Sequence, residues 1–283
     1  ELAFTRDEVT QALGFDDVNI YGITEGWPLA IRSYKVLLEN GVSLADLPSR
    51  GNEALYSYLF FECISRLPSE MVDFLKASAC FEELDPQLLN TILSIKNAKL
   101  ILESLVARNI FIIKTSSGNY RYHTLFRDYL SEFTEISQAL LLQNNAARYY
   151  FDNKQYSKAA EYAIRLENNE LLEQIILINY KDYIKSGSFS ELRAWFHALG
   201  DTAATLNREL LVAKGAFLSS IGNFTAAKTC LDTAIPLLSE DDQELYIEAM
   251  IHKARVLRNF ISFEESNKLL DELIPRLNNP ASE

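Results

Sequence analysis

Ile110-Phe111-Ile112-Ile113-Lys114-Thr115-Ser116-Ser117-Gly118-Asn119-Tyr120-Arg121-Tyr122-His123 decides how the first half of the chain folds. Ile110–Lys114 is apolar and β-branched, residues 116–119 are turn formers, and Tyr120–Tyr122 reads as the return strand of a hairpin. Upstream, the hydrophobic spacing predicts helices near residues 52–66, 69–79, 86–94 and 97–108. Three helices and a hairpin make a winged helix-turn-helix, with a further helix, HTLFRDYLSEF, directly after the wing.

Working outward, the N-terminal stretch opens on a capping box. Thr5 can accept from the amide of Glu8 while the Glu8 carboxylate reaches back to Thr5. Leu13-Gly14 closes that helix. A second helix is expected from Asp17 to about Glu25 and a third from Pro28 to Asn40, closed by Gly41. Proline suits a first helical position because the amide it lacks has no partner there.

Beyond residue 135 the sequence is helical and repetitive. The clearest unit is GAFLSSIGNFTAAKTCLDTAIPLL, residues 215–238, with Gly215, Gly222, Ala227 and Ala234 at small or turn positions. Aligned on one aromatic, the units place Tyr156, Phe189, Phe224 and Phe263 in register, at separations of 33, 35 and 39 residues. That is near the 34-residue period of tetratricopeptide-like helical hairpins. The fold class expected is therefore mostly α: a helical subdomain over 1–50, a winged helix over 51–134, and a tetratricopeptide-like α-solenoid over 135–283.

Composition narrows the function. The 283 residues carry 27 basic and 39 acidic side chains, a net charge of −12, with only 10 glycines and 7 prolines. Residues 1–134 hold 12 basic against 18 acidic side chains and residues 135–283 hold 15 against 21, so no basic half is concealed. A large nucleic-acid footprint is disfavoured. The third winged-helix segment, 97–108, offers Lys99, Glu103 and Arg108 outward, a mixed set unlike a base-reading helix. Cys63, Cys80 and Cys230 are scattered and odd in number, which fits a reducing cytoplasm and gives no disulfide framework or zinc site. No apolar run is long enough to span a membrane. GxxxxGK[ST], GxGxxG after a strand, HExxH and GxSxG are all absent, and His123, His197 and His252 lie in different segments. No catalytic or metal-binding residue is expected.

Two segments rise above this background. In Ile23-Thr24-Glu25-Gly26-Trp27-Pro28-Leu29-Ala30-Ile31-Arg32, a glycine and a proline flank a tryptophan between two helices. That junction can offer a flat apolar surface to a planar ligand, or simply end one helix, start the next and plug the core. In Tyr120-Arg121-Tyr122-His123-Thr124-Leu125-Phe126-Arg127-Asp128-Tyr129-Leu130, His123 stands at a helix start, where free amides and an imidazole can hold a phosphate. A capping or core histidine is the alternative. In the repeats, Tyr149, Tyr150, Tyr180 and Tyr183 are candidates for a ligand or partner surface on the concave side. Packing between repeats is their ordinary role.

TEGWPLAIR followed about 90 residues later by YRYHTLFRDYL, with LAFTRDEV at the start, resembles the MalT-like large ATP-binding LuxR-family regulators, members of the STAND ATPase class. The resemblance covers residues 1–165, and further on it rests on repeat architecture. It implies that Gly26 and Pro28, with Trp27 between them, lie against the adenine of a bound nucleotide, and that His123 meets the diphosphate of ADP. It also implies a closed ADP state, opened by exchange for ATP. The family's phosphate-binding loop and its C-terminal DNA-binding helix-turn-helix have no counterpart in the sequence. The chain is therefore expected to be the middle of a longer cytoplasmic regulator, without a cofactor or enzymatic activity of its own. ADP or ATP with magnesium would belong to the full-length protein, along with an N-terminal nucleotide-binding domain as partner. An inducer or a protein would meet the repeats, and DNA would be reached only through the C-terminal domain. The alternative is a helical-repeat scaffold without a nucleotide role, which a GxxxxGK[ST] sequence upstream would exclude.

Overall fold

The computed structural model describes residues 3–39, 41, 43, 64–108, 110–239 and 242–278. The chain divides into two compact units, Glu1–Ala146 and Ala147–Glu283. It is mostly helical, with one two-stranded antiparallel sheet among the described residues. No helix among these residues is long and apolar enough to cross a membrane.

The first unit opens with α1 (Arg6–Leu13), α2 (Val18–Thr24) and α3 (Pro28–Glu39). The Thr5–Glu8 capping box is present in both directions, and Asp17 caps α2 by accepting from the amides of Asn19 and Ile20. Ile20, Ala30 and Tyr34 pack with Leu125 from the winged helix into one apolar cluster. The three short helices thereby share a core with a segment about 90 residues further along the chain.

The winged helix consists of α4 (Ser69–Ser78), α5 (Pro86–Ile92), α6 (Ala98–Ala107), the hairpin β1 (Ile112–Lys114) and β2 (Tyr120–Tyr122), and α7 (Thr124–Ser131). The helix expected over 52–66 falls mostly outside the described residues. Ile112 pairs with Tyr122 and Lys114 with Tyr120 in the hairpin. Leu84 adds a bridge to Tyr120, its amide donating to the Tyr120 carbonyl at 2.7 Å. Alternation explains the burial of β2: Tyr120 and Tyr122 point into the core and Arg121 points away from it. Inside, the Ser78 and Tyr122 hydroxyls lie 2.6 Å apart, which gives two buried polar groups a partner. On the outer face of α6, Lys99 is paired with Glu103 at 4.0 Å, and neither charge forms part of a basic stripe.

Helix α8 (Ile136–Asp152) runs across the boundary into the second unit. There follow α9 (Tyr156–Arg165), α10 (Asn169–Ser186), α11 (Phe189–Leu206, broken at Gly200), α12 (Arg208–Ser220), α13 (Phe224–Ala234) with a 3-10 turn at Ile235–Leu237, α14 (Gln243–Phe260) and α15 (Phe263–Asn278). From α9 onward each helix packs on the next, and α10–α12 and α12–α14 also touch. Neighbour and next-but-one packing is how stacked helical hairpins share a core. The four aligned aromatics, Tyr156, Phe189, Phe224 and Phe263, are each the first residue of a helix. Two residues earlier the chain takes a left-handed conformation at Lys154, Gly187 and Gly222, the bend that reverses it between helices. The 39-residue interval before Phe263 is lengthened by the 3-10 turn and the segment leading into α14.

Small residues set how closely the hairpin helices approach. A Cβ at Gly215 would stand 2.7 Å from Leu231 Cγ and 2.8 Å from its Cδ2, and Leu231 is fully buried. Gly215→Val is therefore expected to lower stability by about 2–3 kcal/mol, the overpacking outweighing the helix propensity gained. An unchanged urea midpoint for this variant would show that α12 and α13 are not in close register.

Candidate functional site

The junction between α2 and α3 is built from two consecutive left-handed residues, Glu25 (φ 46) and Gly26 (φ 74). They turn the chain so sharply that the Trp27 amide donates to the Thr24 carbonyl at 2.8 Å. Residues 3–5 run beside this turn, with the Phe4 amide donating to the Gly26 carbonyl at 2.8 Å. A Cβ at Gly26 would lie 2.0 Å from the Phe4 oxygen, so only glycine fits.

The turn throws the Glu25 carboxylate onto the start of α7. Arg121 donates to it through Nη1 at 3.1 Å and Nη2 at 2.8 Å, a bidentate pair. Thr124 donates through its hydroxyl at 2.6 Å and its amide at 3.1 Å. Helix α7 has no acidic residue in its first turn and no side-chain cap from His123. Glu25 supplies that cap from another part of the chain. Burial pushes the Glu25 pKa up, but the hydrogen bonds from Arg121 and Thr124 and the nearby His123 outweigh it and hold it at about 2.

His123 is 8% exposed. Its Nε2 lies 3.0 Å from the Thr24 carbonyl, and its amide donates to Phe111 O at 2.8 Å. A carbonyl can only accept, so Nε2 carries the proton and Nδ1 of the neutral ring carries a lone pair. Nδ1 is buried and has no hydrogen-bond partner. Burial is the main cause that lowers the His123 pKa, with Glu25 acting the other way. The ring stands between aromatics: Trp27 meets Phe111 edge to face at 4.7 Å, and His123 lies 6.0 Å from Trp27 and 6.3 Å from Phe111.

The two segments singled out in the sequence therefore meet. Gly26 is buried, Trp27 and Pro28 are half-buried, and His123 bonds to the residue two before Gly26. Sequence reading missed Glu25, Arg121 and Thr124. The signal available for them was a helix beginning at Thr124 without an acid in its first turn.

The tyrosines separate. Tyr150 is 2% exposed and stacks on Tyr162 at 5.7 Å, so it belongs to the core and is removed from the candidate surface. Tyr149 is half-buried, with its ring 5.5 Å from that of Tyr150. Tyr183 is half-buried against Trp195, its hydroxyl 3.0 Å from that of Ser157. Tyr180 is buried as well, 4% exposed, so its ring packs in the core rather than offering a face to a ligand, and only its hydroxyl, which donates to Glu248 at 2.6 Å, reaches the neighbouring helix.

Residues 61–140 match the model of the MalT winged helix domain. Over its winged helix the chain is similar to MalT. The HTH-type transcriptional regulator MalT of Vibrio cholerae serotype O1 is 25% identical to it over 194 residues, which cover 62% of this chain and 22% of that relative. The chain thus spans roughly a fifth of the regulator it matches. The winged-helix match takes in Arg121, His123 and Thr124, three of the residues that meet at the α2–α3 turn.

Proposed function

We propose that this chain is the regulatory and sensor part of an ATP-dependent transcriptional regulator, and that residues 24–28 and 121–124 form its switch. The supporting observation is the set of five hydrogen bonds that tie Thr24 and Glu25 to Arg121, His123 and Thr124. They hold the winged helix against the helical subdomain, the arrangement expected of a closed state. In the full-length protein Gly26, Trp27 and Pro28 would lie against an adenine and His123 against a diphosphate, with magnesium and the phosphate loop supplied by the nucleotide-binding domain. A bound nucleotide would supply the γ-phosphate whose presence or absence distinguishes the two states.

The orphaned Nδ1 is the atom of this site that fits a ligand. As a lone pair it accepts, and as part of an imidazolium it donates to phosphate oxygen. Donating from Nδ1 to phosphate requires His123 to carry a second proton, which burial opposes, the Glu25 carboxylate and the Thr24 carbonyl favour, and a diphosphate beside the ring would favour further. Signal input is assigned to the repeats and DNA binding to a further domain of the longer protein.

His123→Ala in the full-length protein is expected to raise transcription without inducer. One charge-assisted hydrogen bond to phosphate contributes about 1.5–3 kcal/mol to the closed state. Its loss shifts the closed-to-open balance roughly ten- to a hundredfold. A reporter measured at matched protein level would check this, and unchanged basal transcription would contradict the role.

A further inference from the structure

Helices α10 and α14 stand on either side of α12, which packs against both. Tyr180 and Lys181 of α10 nevertheless reach α14: the Tyr180 hydroxyl and Lys181 Nζ bind the two oxygens of Glu248 at 2.6 and 2.7 Å. This contact sits where two adjoining cavities meet, one of about 560 Å³ toward Glu209 and Asp242 and one of about 370 Å³ toward Ile251 and His252. Both are lined by Tyr180, Lys181 and Glu244, so they form one cleft. Their sizes are those of small-molecule sites.

The cleft is net negative: Glu209, Asp242, Glu244 and Glu248 stand against Lys181 and, beside Asp242, Arg208. Glu248 is taken by Tyr180 and Lys181, and Asp242 by Arg208 at 3.0 Å. Glu209 and Glu244 make no ion pair among the described residues. At the other end, Ser219 Oγ donates to the Ala216 carbonyl at 2.9 Å and lies 3.0 Å from His252 Nδ1. With its one proton committed to Ala216, Ser219 accepts from Nδ1–H, and this leaves Nε2 of His252 as a lone pair on the opposite edge of the ring. Burial holds the His252 pKa down at about 4, so the ring stays neutral at physiological pH. Between these ends the wall is aliphatic: Ile184, Ile247 and Ile251, the last 44% exposed.

We propose that this cleft binds an elongated organic cation, with an ammonium or guanidinium head at Glu209 and Glu244, an aliphatic body along Ile247 and Ile251, and a second donor at His252 Nε2. From Glu244 to His252 is about 12 Å along α14, which sets the length of the ligand. A neutral diol of the same shape can donate but brings no positive charge to the carboxylates, and an anion of that shape is repelled by them. The inference rests on the reading of the repeats as the sensing unit, which it makes specific.

The test is calorimetric titration of this chain with 1,8-diaminooctane, 1,8-octanediol and octylamine. The diamine is expected to bind with a Kd of about 1 mM or below and the diol at least about tenfold more weakly. Octylamine is expected between them. Glu244→Gln, at an exposed position that does not threaten folding, is expected to weaken the diamine about five- to tenfold. His252→Phe is expected to reduce the diamine to the affinity of octylamine. Equal binding of diamine and diol, no heat with the diamine, or unchanged affinity in Glu244→Gln would overturn the proposal. Binding of basic peptides with no response to the diamine would overturn it too, in favour of a protein partner. If the chain binds the diamine but transcription by the full-length protein ignores it, the cleft stands and the sensing role falls.

Discussion

Glu25→Ala is expected to lower the stability of the first unit by about 3 kcal/mol. The carboxylate accepts four hydrogen bonds, two from Arg121 and two from Thr124, and its side chain is 21% exposed. Its pKa falls from 4.5 in the open chain to about 2 in the fold. Each unit of that fall corresponds to about 1.4 kcal/mol of preference for the charged form. A depressed carboxylate pKa contributes stability that is complete above pH 4.5 and is lost as the pH falls toward 2. The wild-type chain should therefore lose this increment over that window, whereas Glu25→Ala should show a flatter profile there. Arg121→Ala should cost less, because Thr124 still caps on Glu25 and the guanidinium is more exposed, at 39%. Urea denaturation followed by Trp27 fluorescence between pH 2 and 7 would check both variants.

Gly26→Ala is expected to have the other large effect, about 3–4 kcal/mol. Two causes add. A side chain at φ 74 is strained wherever it stands, at a cost of about 1–2 kcal/mol. Here the new Cβ would also meet the Phe4 oxygen at 2.0 Å, a backbone atom that no rotamer change can move. Relief requires residues 3–5 to leave the turn, which breaks the Phe4–Gly26 hydrogen bond and loosens the start of α1. Limited proteolysis should then cut near residues 3–6 in the variant and not in the wild type, together with a lowered melting temperature. A variant with unaltered melting and protection would mean that residues 3–5 do not lie against Gly26.

Local chemistry made the helix ends readable from the sequence. Thr5 and Gly14 act through groups three or four residues away, and their caps stand where the spacing puts them, while Pro28 opens its helix as its missing amide allows. The wing was readable because β-branched residues and a Ser-Ser-Gly-Asn turn adjoin. The repeats were readable because Tyr156, Phe189, Phe224 and Phe263 recur at a period set by the hairpin itself. Glu25 was not readable as a cap, because its partner helix begins 99 residues further on and no local pattern records that distance. Arg121 read only as the middle residue of the return strand Tyr120–Tyr122. The buried Tyr150 and Tyr180 could not be told by type from the half-buried Tyr149 and Tyr183, since burial depends on which neighbouring helix each one faces. Tyr162 stacks on the first, and Glu248 binds the hydroxyl of the second.

The central claim is that the contacts of residues 24–25 with 121–124 mark the closed state of a nucleotide switch. Amide hydrogen exchange across residues 121–127 of the full-length protein, loaded in turn with ADP and with ATP, tests it most directly. The Thr124 amide, which donates to Glu25, should be strongly protected with ADP and exchange at least about tenfold faster with ATP. Equal protection in both nucleotide states would contradict the account and leave the Glu25–Arg121–Thr124 network a structural tie alone.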